Sequence, residues 1–214
     1  MKQIIYKFIF CKIFGWKVVG TIAPEVKKCV LIAVPHTSWW DFFLGIFSRG
    51  ILNIEINYVA KKELFVFPFN YFFTWTGGTP LNRQKNENKV DTIAKIFQEK
   101  EIFRLAIAPE GTRKKVTEWK TGFYYMALKA NVPIVPVAFD YGRKEVVYNE
   151  PFYPTGNIEA DIKFINTKCY QVFLAVAEWV NAGHELAEDR LRKLWIADQV
   201  LGGSGKTIGY EGAA

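Results

Sequence analysis

Residues 27–50 read KKCVLIAVPHTSWWDFFLGIFSRG, and the parsing of this stretch decides the architecture. The run from Cys29 to Val34 is apolar without a break, the pattern of a strand buried on both faces rather than one. Pro35 ends the run. Ser38 is a good helix N-cap, and Asp41 three residues on completes a capping-box pattern, so the spacing predicts a helix from Ser38 to about Gly50. A two-sided strand feeding directly into a helix is the repeating unit of an α/β layered domain.

The rest of the chain extends this unit. WKVVGTI (16–22) reads as a strand neighbouring the first across Pro24, and INYVAKKEL (56–64) as the next strand. IFRLAIAP (102–109) and VPIVPVAF (132–139) are further continuous apolar runs. Between them, Lys89–Glu101 and Thr121–Ala130 have helical spacing, and Ile158–Val180 and Leu186–Val200 read as helices separated by an Asn-Ala-Gly stop. The expected fold is therefore one α/β domain over residues 1–200, a mixed and largely parallel sheet flanked by helices. Residues 201–214 are expected to form a flexible tail that is a candidate for vector-derived sequence. The tail contains GKT, but the glycine that a phosphate loop needs five positions before Gly205 is Val200, and too little chain follows to build the required helix.

Composition narrows the function classes. The 214 residues carry 28 Lys and Arg against 21 acidic residues, a net charge of +7 that favours anionic partners: phosphorylated metabolites, nucleic acid or an anionic membrane surface. No dense basic helix or repeated basic and aromatic surface pattern favours nucleic acid. The three cysteines, Cys11, Cys29 and Cys169, are odd in number and lack a CxxC or a nearby histidine, so neither a disulfide framework nor a zinc site is indicated, and a reducing cytosolic compartment is the default. Aromatic residues are abundant, with 18 Phe, 10 Tyr and 7 Trp, and they crowd into LFVFPFNYFFTW (64–75). That segment reads either as an internal aromatic core or as a surface for lipid. The first nineteen residues are apolar but broken by Lys2, Lys7, Lys12 and Lys17, and no run reaches the roughly 18 residues of a spanning helix. They fit an interfacial helix with snorkelling lysines, or a terminal helix packed on its own domain.

Of the two histidines, His184 lies in a polar linker between helical segments, whereas His36 stands at the carboxyl end of a buried strand, where open α/β sheets place their sites. A histidine just before a helix can fold over the first turn and meet a carboxylate there. Asp41 could then fix the ring tautomer and stabilise the imidazolium while the other nitrogen takes a proton from a substrate hydroxyl. No G-x-S-x-G occurs, so the attacking hydroxyl can belong to the substrate. Chance alone would supply this spacing beside one of two histidines roughly one time in ten, and Asp41 would suit the helix dipole in any case. A second polar cluster, APEGTRKK (108–115), follows another buried strand, with Glu110 and Arg113 framing a small Gly111-Thr112 turn. Arginine there is suited to bidentate phosphate recognition, with Lys114, Lys115 and Lys120 adding charge. A charged surface turn is the bland alternative. GGTPLNR (77–83) reads as a rigid turn ending in Arg83. The prolines at 133 and 136 are unusual for a central strand.

Taken together and in this order, HTSWWD, GGTPLNR, PEGTR and VPIVPV resemble the four blocks of the lysophospholipid (1-acylglycerol-3-phosphate) acyltransferase superfamily, over about residues 28 to 140. The resemblance implies that His36 is the general base and Asp41 its orienting partner. It also implies an acceptor phosphate site made of Arg83, Glu110, Gly111, Thr112 and Arg113, with Glu110 organising the arginines, Lys61 a further basic contact, and VPIVPV supporting an acyl pocket. Ala108 and Lys114 depart from residues common in the family. The implied reaction moves a fatty acyl group from acyl-CoA or acyl carrier protein, used as co-substrate with no other cofactor and no metal, to the free hydroxyl of a lysophospholipid. Lysophosphatidic acid ranks first as acceptor, ahead of glycerol-3-phosphate or a lyso-aminolipid. A non-catalytic anionic-lipid-binding module is the rival from another class. The expected location is the cytoplasmic face of a membrane, peripherally bound and without a spanning helix; oligomeric state is not legible.

Overall fold

Lys28–Val34 forms β2, and it occupies the centre of a seven-stranded sheet with order β1-β7-β6-β2-β5-β3-β4. The computed structural model describes residues 2–36, 38–81, 89–112 and 119–168. The remaining strands are β1 (Lys17–Val19), β3 (Asn57–Lys61), β4 (Gly78–Leu81), β5 (Phe103–Ile107), β6 (Ile134–Asp140) and β7 (Glu145–Tyr148). Every pairing is parallel except β6 with β7.

The unbroken apolar run of β2 serves two cores, as its pattern requires. Val30, Ile32 and Val34 point to one face, where they meet Ile93 and Phe97 of α4 (Lys89–Glu99) and Phe123, Tyr124 and Ala127 of α5 (Gly122–Ala130). Cys29 and Leu31 point to the other, against Leu44 of α2 (Trp40–Leu52) and Phe10 and Trp16 of the N-terminal segment. Residues 158–168 are helical and contribute Ile165 to the first core. The remainder of the helix expected over 158–180 lies outside the described residues, as do the helix expected at 186–200, the tail, and His184.

Three local readings change. The stretches 16–22 and 28–34 are not neighbours: β1 pairs with β7 at the sheet edge, with β7 and β6 between it and β2. GTPL (78–81) is not part of a turn but the outer strand β4, paired among the described residues with β3 alone, and the turn is confined to Thr76–Gly77; an edge is where a strand proline such as Pro80 is tolerated. The aromatic segment contains a short helix, α3 (Phe69–Trp75). Pro136, by contrast, does sit in an interior strand. Both polar groups of Ile134 face Phe152, so the missing N–H of Pro136, two residues on, faces the same side. There the β6–β7 ladder is broken between Tyr148 and Phe152, and the Pro136 carbonyl instead accepts Asn149 N–H.

The N-terminal segment, α1 (Lys2–Lys7) continuing as a π-helical stretch over Phe8–Ile13, packs on its own domain, the second of the two readings of its sequence. Phe10 is fully buried and Tyr6 and Phe14 pack on Phe47 of α2, while Ile4, Ile5, Phe8 and Ile13 are exposed. Close approach explains why α2 runs through Gly50 to a left-handed Asn53 cap: a Cβ on Gly50 would lie 2.6 Å from the Tyr6 ring. Among the described residues, no helix is long and apolar enough to cross a membrane.

Candidate active site

The parallel register brings the two polar clusters together. Ile32 of β2 is level with Ile107 of β5, so the residues that leave the two strands, His36 and Glu110, emerge side by side at the carboxyl edge of the sheet. The buried Glu110 carboxylate accepts the backbone N–H of His36 through both oxygens, each at 3.1 Å. Glu110 thus anchors the loop carrying the histidine; this contact between the first and third blocks had no signal in the spacing of either.

Asp41 enters from the first turn of α2 with its side chain fully buried. Its Oδ2 lies 3.4 Å from His36 Nδ1, long for a hydrogen bond. The same oxygen accepts Ser38 N–H at 2.8 Å, and Ser38 Oγ accepts Trp40 N–H at 3.1 Å. The helix begins at Trp40, later than expected, yet the carboxylate half of the capping box forms as read. Oδ1 accepts the hydroxyl of Tyr141, which follows β6 and packs edge-on against Trp16, ring centres 5.0 Å apart. Tyr141 is a site residue that the sequence reading missed; its only signal was its place just beyond a buried strand. The His36 side chain retains 25% exposure, and its other nitrogen, Nε2, has no partner among the described residues.

His36 and Asp41 stand on the wall of a cavity of about 230 Å³ whose lining is largely apolar and includes Leu31, Ala33, Phe42, Ala106, Val137 and Phe139. Val137 comes from the fourth block. Of the two tryptophans in HTSWWD, Trp40 packs edge-on against Phe14 and stacks on Phe43, whereas Trp39 is 60% exposed.

Arg83 and Arg113 lie outside the described residues, as does the side chain of Lys61 at the end of β3. Thr112 is half-buried directly after the Glu110–Gly111 turn. Gly111 adopts φ +64°, and the aliphatic end of Lys120 lies across it: a Cβ there would be 2.7 Å from Lys120 Nζ. Lys120 N–H donates to the Pro109 carbonyl, which places a cation at the turn where the sequence expects one. The thiol of Cys29 is no nucleophile, because burial pushes it up to about 12 against the opposing charge of Arg104. Among the described residues, no group of His, Cys, Asp and Glu could hold a metal.

A buried carboxylate behind a histidine, at the carboxyl edge of a largely parallel sheet and beside an apolar cavity, defines an α/β protein with a candidate active site at its strand ends. Residues 17–140, more than half of the chain, match the family model described as Acyltransferase, and the chain belongs to that family. It is 29% identical to 1-acyl-sn-glycerol-3-phosphate acyltransferase of Bacillus subtilis over 77% of this chain and 83% of that one. It is 36% identical to the Escherichia coli protein of the same name over 58% of this chain and 53% of that one. The human 1-acyl-sn-glycerol-3-phosphate acyltransferase beta is 27% identical over 64% of this chain. The chain spans about half the length of the human and E. coli relatives, 50% and 53%. Its fold is that of the crystal structure of the 1-acyl-sn-glycerophosphate (LPA) acyltransferase PlsC from Thermotoga maritima, with a TM-score of 0.54 and 20% identity over 86% of this chain and 80% of that one.

Proposed function

We propose that this protein transfers a fatty acyl group from a thioester donor to the free hydroxyl of a lysophospholipid, with 1-acylglycerol-3-phosphate as acceptor and phosphatidic acid as product. The observation that carries the reading is the His36–Asp41 pair standing on the wall of an apolar cavity. His36 Nε2 takes the hydroxyl proton as the acceptor oxygen attacks the thioester carbonyl. The tetrahedral oxyanion collapses, the carbon–sulfur bond breaks, and the leaving thiolate recovers the proton from the imidazolium. Asp41 stabilises that imidazolium, and no acyl-enzyme forms. A thiol leaves readily, so much of the rate comes from holding hydroxyl and carbonyl together.

The acceptor phosphate is assigned to the basic turn after β5, with Arg113 and Lys120, and to Arg83 and Lys61. A side chain at Gly111 would displace Lys120 and force an L residue to positive φ. Gly111→Ala is therefore expected to raise KM for the acceptor several-fold with kcat nearly unchanged, and to cost about 1–2 kcal/mol of stability; steady-state kinetics and thermal unfolding read the two effects.

Both substrates are amphiphiles, and the protein has a face suited to a membrane surface. Phe67, Phe69, Tyr71 and Trp75 on and beside α3 are more than half exposed, as are Ile4, Ile5 and Phe8 between Lys2, Lys7 and Lys12. Aromatic rings dip into the interface and lysines meet anionic headgroups. Sedimentation with vesicles rich in anionic phospholipid checks this: protein left wholly in the supernatant at low salt would remove the membrane from the reading.

The defining experiment incubates the purified protein with acyl-CoA and with acyl carrier protein thioesters against a panel of lysophosphatidic acid, glycerol-3-phosphate and lyso-aminolipids. Transfer to lysophosphatidic acid is the expected result. Transfer only to another member keeps the chemistry and changes the acceptor; no transfer from either donor to any acceptor overturns it.

A further inference from the structure

The N-terminal segment reaches Asp41 by two routes, through aromatic rings two residues apart. Phe14 packs edge-on against Trp40, ring centres 5.3 Å apart, and Trp40 is the residue before Asp41 in the first turn of α2. Trp16 packs edge-on against Tyr141, whose hydroxyl donates to Oδ1 of the Asp41 carboxylate. Trp16, Tyr141 and Asp41 are all more than nine-tenths buried.

Both members of the Trp16–Tyr141 contact are themselves firmly seated. Tyr141 opens the loop 141–144 that closes the β6–β7 hairpin, in which Asp140 pairs with Glu145. Asp140 Oδ1 accepts Arg143 N–H at 2.9 Å, and the Lys144 carbonyl accepts Lys17 N–H at 2.8 Å. The loop is thus tied both to itself and to the N-terminal segment. Trp16 donates its backbone N–H to the Phe10 carbonyl at 3.0 Å, and its ring lies against that of Phe10, which is fully buried. An indole set in this way against the Tyr141 ring fixes the direction from which the phenol hydroxyl arrives at Asp41.

We infer that Tyr141 is a positioning residue for acyl transfer: seated by Trp16, it fixes the plane of the Asp41 carboxylate and so the direction in which Oδ2 meets His36. The inference rests on the acyl-transfer reading above. A carboxylate turns about its Cβ–Cγ bond over a broad torsional well, so one hydrogen bond sets its plane only softly. Ser38 N–H holds Oδ2 at 2.8 Å, and the Tyr141 hydroxyl holds the other oxygen; a second bond, assisted by the carboxylate charge, stiffens the rotation. His36 Nδ1 is 3.4 Å from Oδ2, a separation at which a small rotation of the carboxylate decides whether a hydrogen bond forms. Trp16 and Tyr141 thereby act on the general base without touching substrate.

The experiment is steady-state kinetics with substrates in detergent micelles, where docking to a membrane does not enter, on Tyr141→Phe, Trp16→Ala and the double variant. Tyr141→Phe keeps the ring against Trp16 and removes only the hydroxyl. Its kcat is expected to fall about tenfold, part of the ~10²–10⁴-fold that a placed general base supplies, with KM for donor and acceptor near wild type. Trp16→Ala is expected to lower kcat in the same way, and the double variant to fall no further than Tyr141→Phe, because both changes act through one hydroxyl. On a His36→Ala background, Tyr141→Phe is expected to cost nothing more. Should Trp16→Ala not fold, Trp16→Leu keeps the core filled without the aromatic edge and takes its place. A folded Tyr141→Phe protein at wild-type kcat overturns the inference. So does a loss that appears in KM, multiplies with that of the Trp16 variant, or persists undiminished without His36. Wild-type protein that transfers no acyl chain at all fails the underlying reading instead, so the two failures are distinct.

Discussion

Replacing His36 with alanine is expected to lower kcat for acyl transfer about 10³-fold, the typical range for a general base, while KM for both substrates and binding to lysophospholipid vesicles stay near wild type. The fold should survive the change. What anchors this loop is the His36 backbone N–H, held between both oxygens of the buried Glu110 carboxylate, and alanine keeps that group. The imidazole itself is partly exposed and its nearest polar contact, to Asp41, is 3.4 Å long, so its loss should cost no more than about 1 kcal/mol. Retained binding with lost turnover separates an enzyme from a module that only holds anionic lipid. Equal turnover in the two proteins, measured as product formed per enzyme under saturating donor, would sink the mechanism.

The part of this site that sits on one contiguous segment was legible before any coordinates. An unbroken apolar run can be satisfied only between two cores, and β2 lies between two; a helix that starts immediately after it must bring its first-turn carboxylate back toward the strand end, and Asp41 does so. What escaped the reading depends on pairings distant in the chain. β1 has three residues and finds its partner β7 at the far end of the sheet, so no local pattern could separate it from β2. Gly78 and Pro80 carry strong turn signals, which an edge position overrides because, among the described residues, nothing pairs with the outer side of β4. Phe, Tyr, Trp and Thr are weak helix formers, and α3 forms from them without a periodic stripe. Tyr141 and Glu110 reach Asp41 and His36 through sheet register alone. Arg49 stands in the last turn of α2, where a cation favours the helix dipole, and its bonds to the Ile56 and Thr76 carbonyls depend on the turn at Gly77.

The same register makes Asp41 the most demanding position to change, and the two obvious substitutions should separate its duties. Among its partners in the described residues, Ser38 N–H and His36 Nδ1 meet the carboxylate at Oδ2 and the Tyr141 hydroxyl meets it at Oδ1. Alanine leaves all three facing an apolar space, and Asp41→Ala is expected to cost about 3 kcal/mol of stability, at the upper end for unsatisfied buried partners, together with activity. Asparagine has one oxygen where aspartate has two. Ser38 N–H can only donate, so the amide oxygen must take the Oδ2 place, and the amide nitrogen then faces Tyr141, whose hydroxyl can rotate to accept. In that arrangement His36 keeps a hydrogen-bond acceptor and its tautomer, but the imidazolium loses its counter-charge. Asp41→Asn is accordingly expected to fold with a thermal midpoint close to wild type and to lose about 10²-fold in kcat, less than the ~10⁴-fold loss that follows when the same exchange in a serine-protease triad imposes the wrong tautomer. Thermal unfolding and single-turnover rates on both variants decide the matter. An alanine variant as stable as wild type would show that Asp41 does not hold the start of α2, and an asparagine variant at full rate would show that its charge does not assist His36.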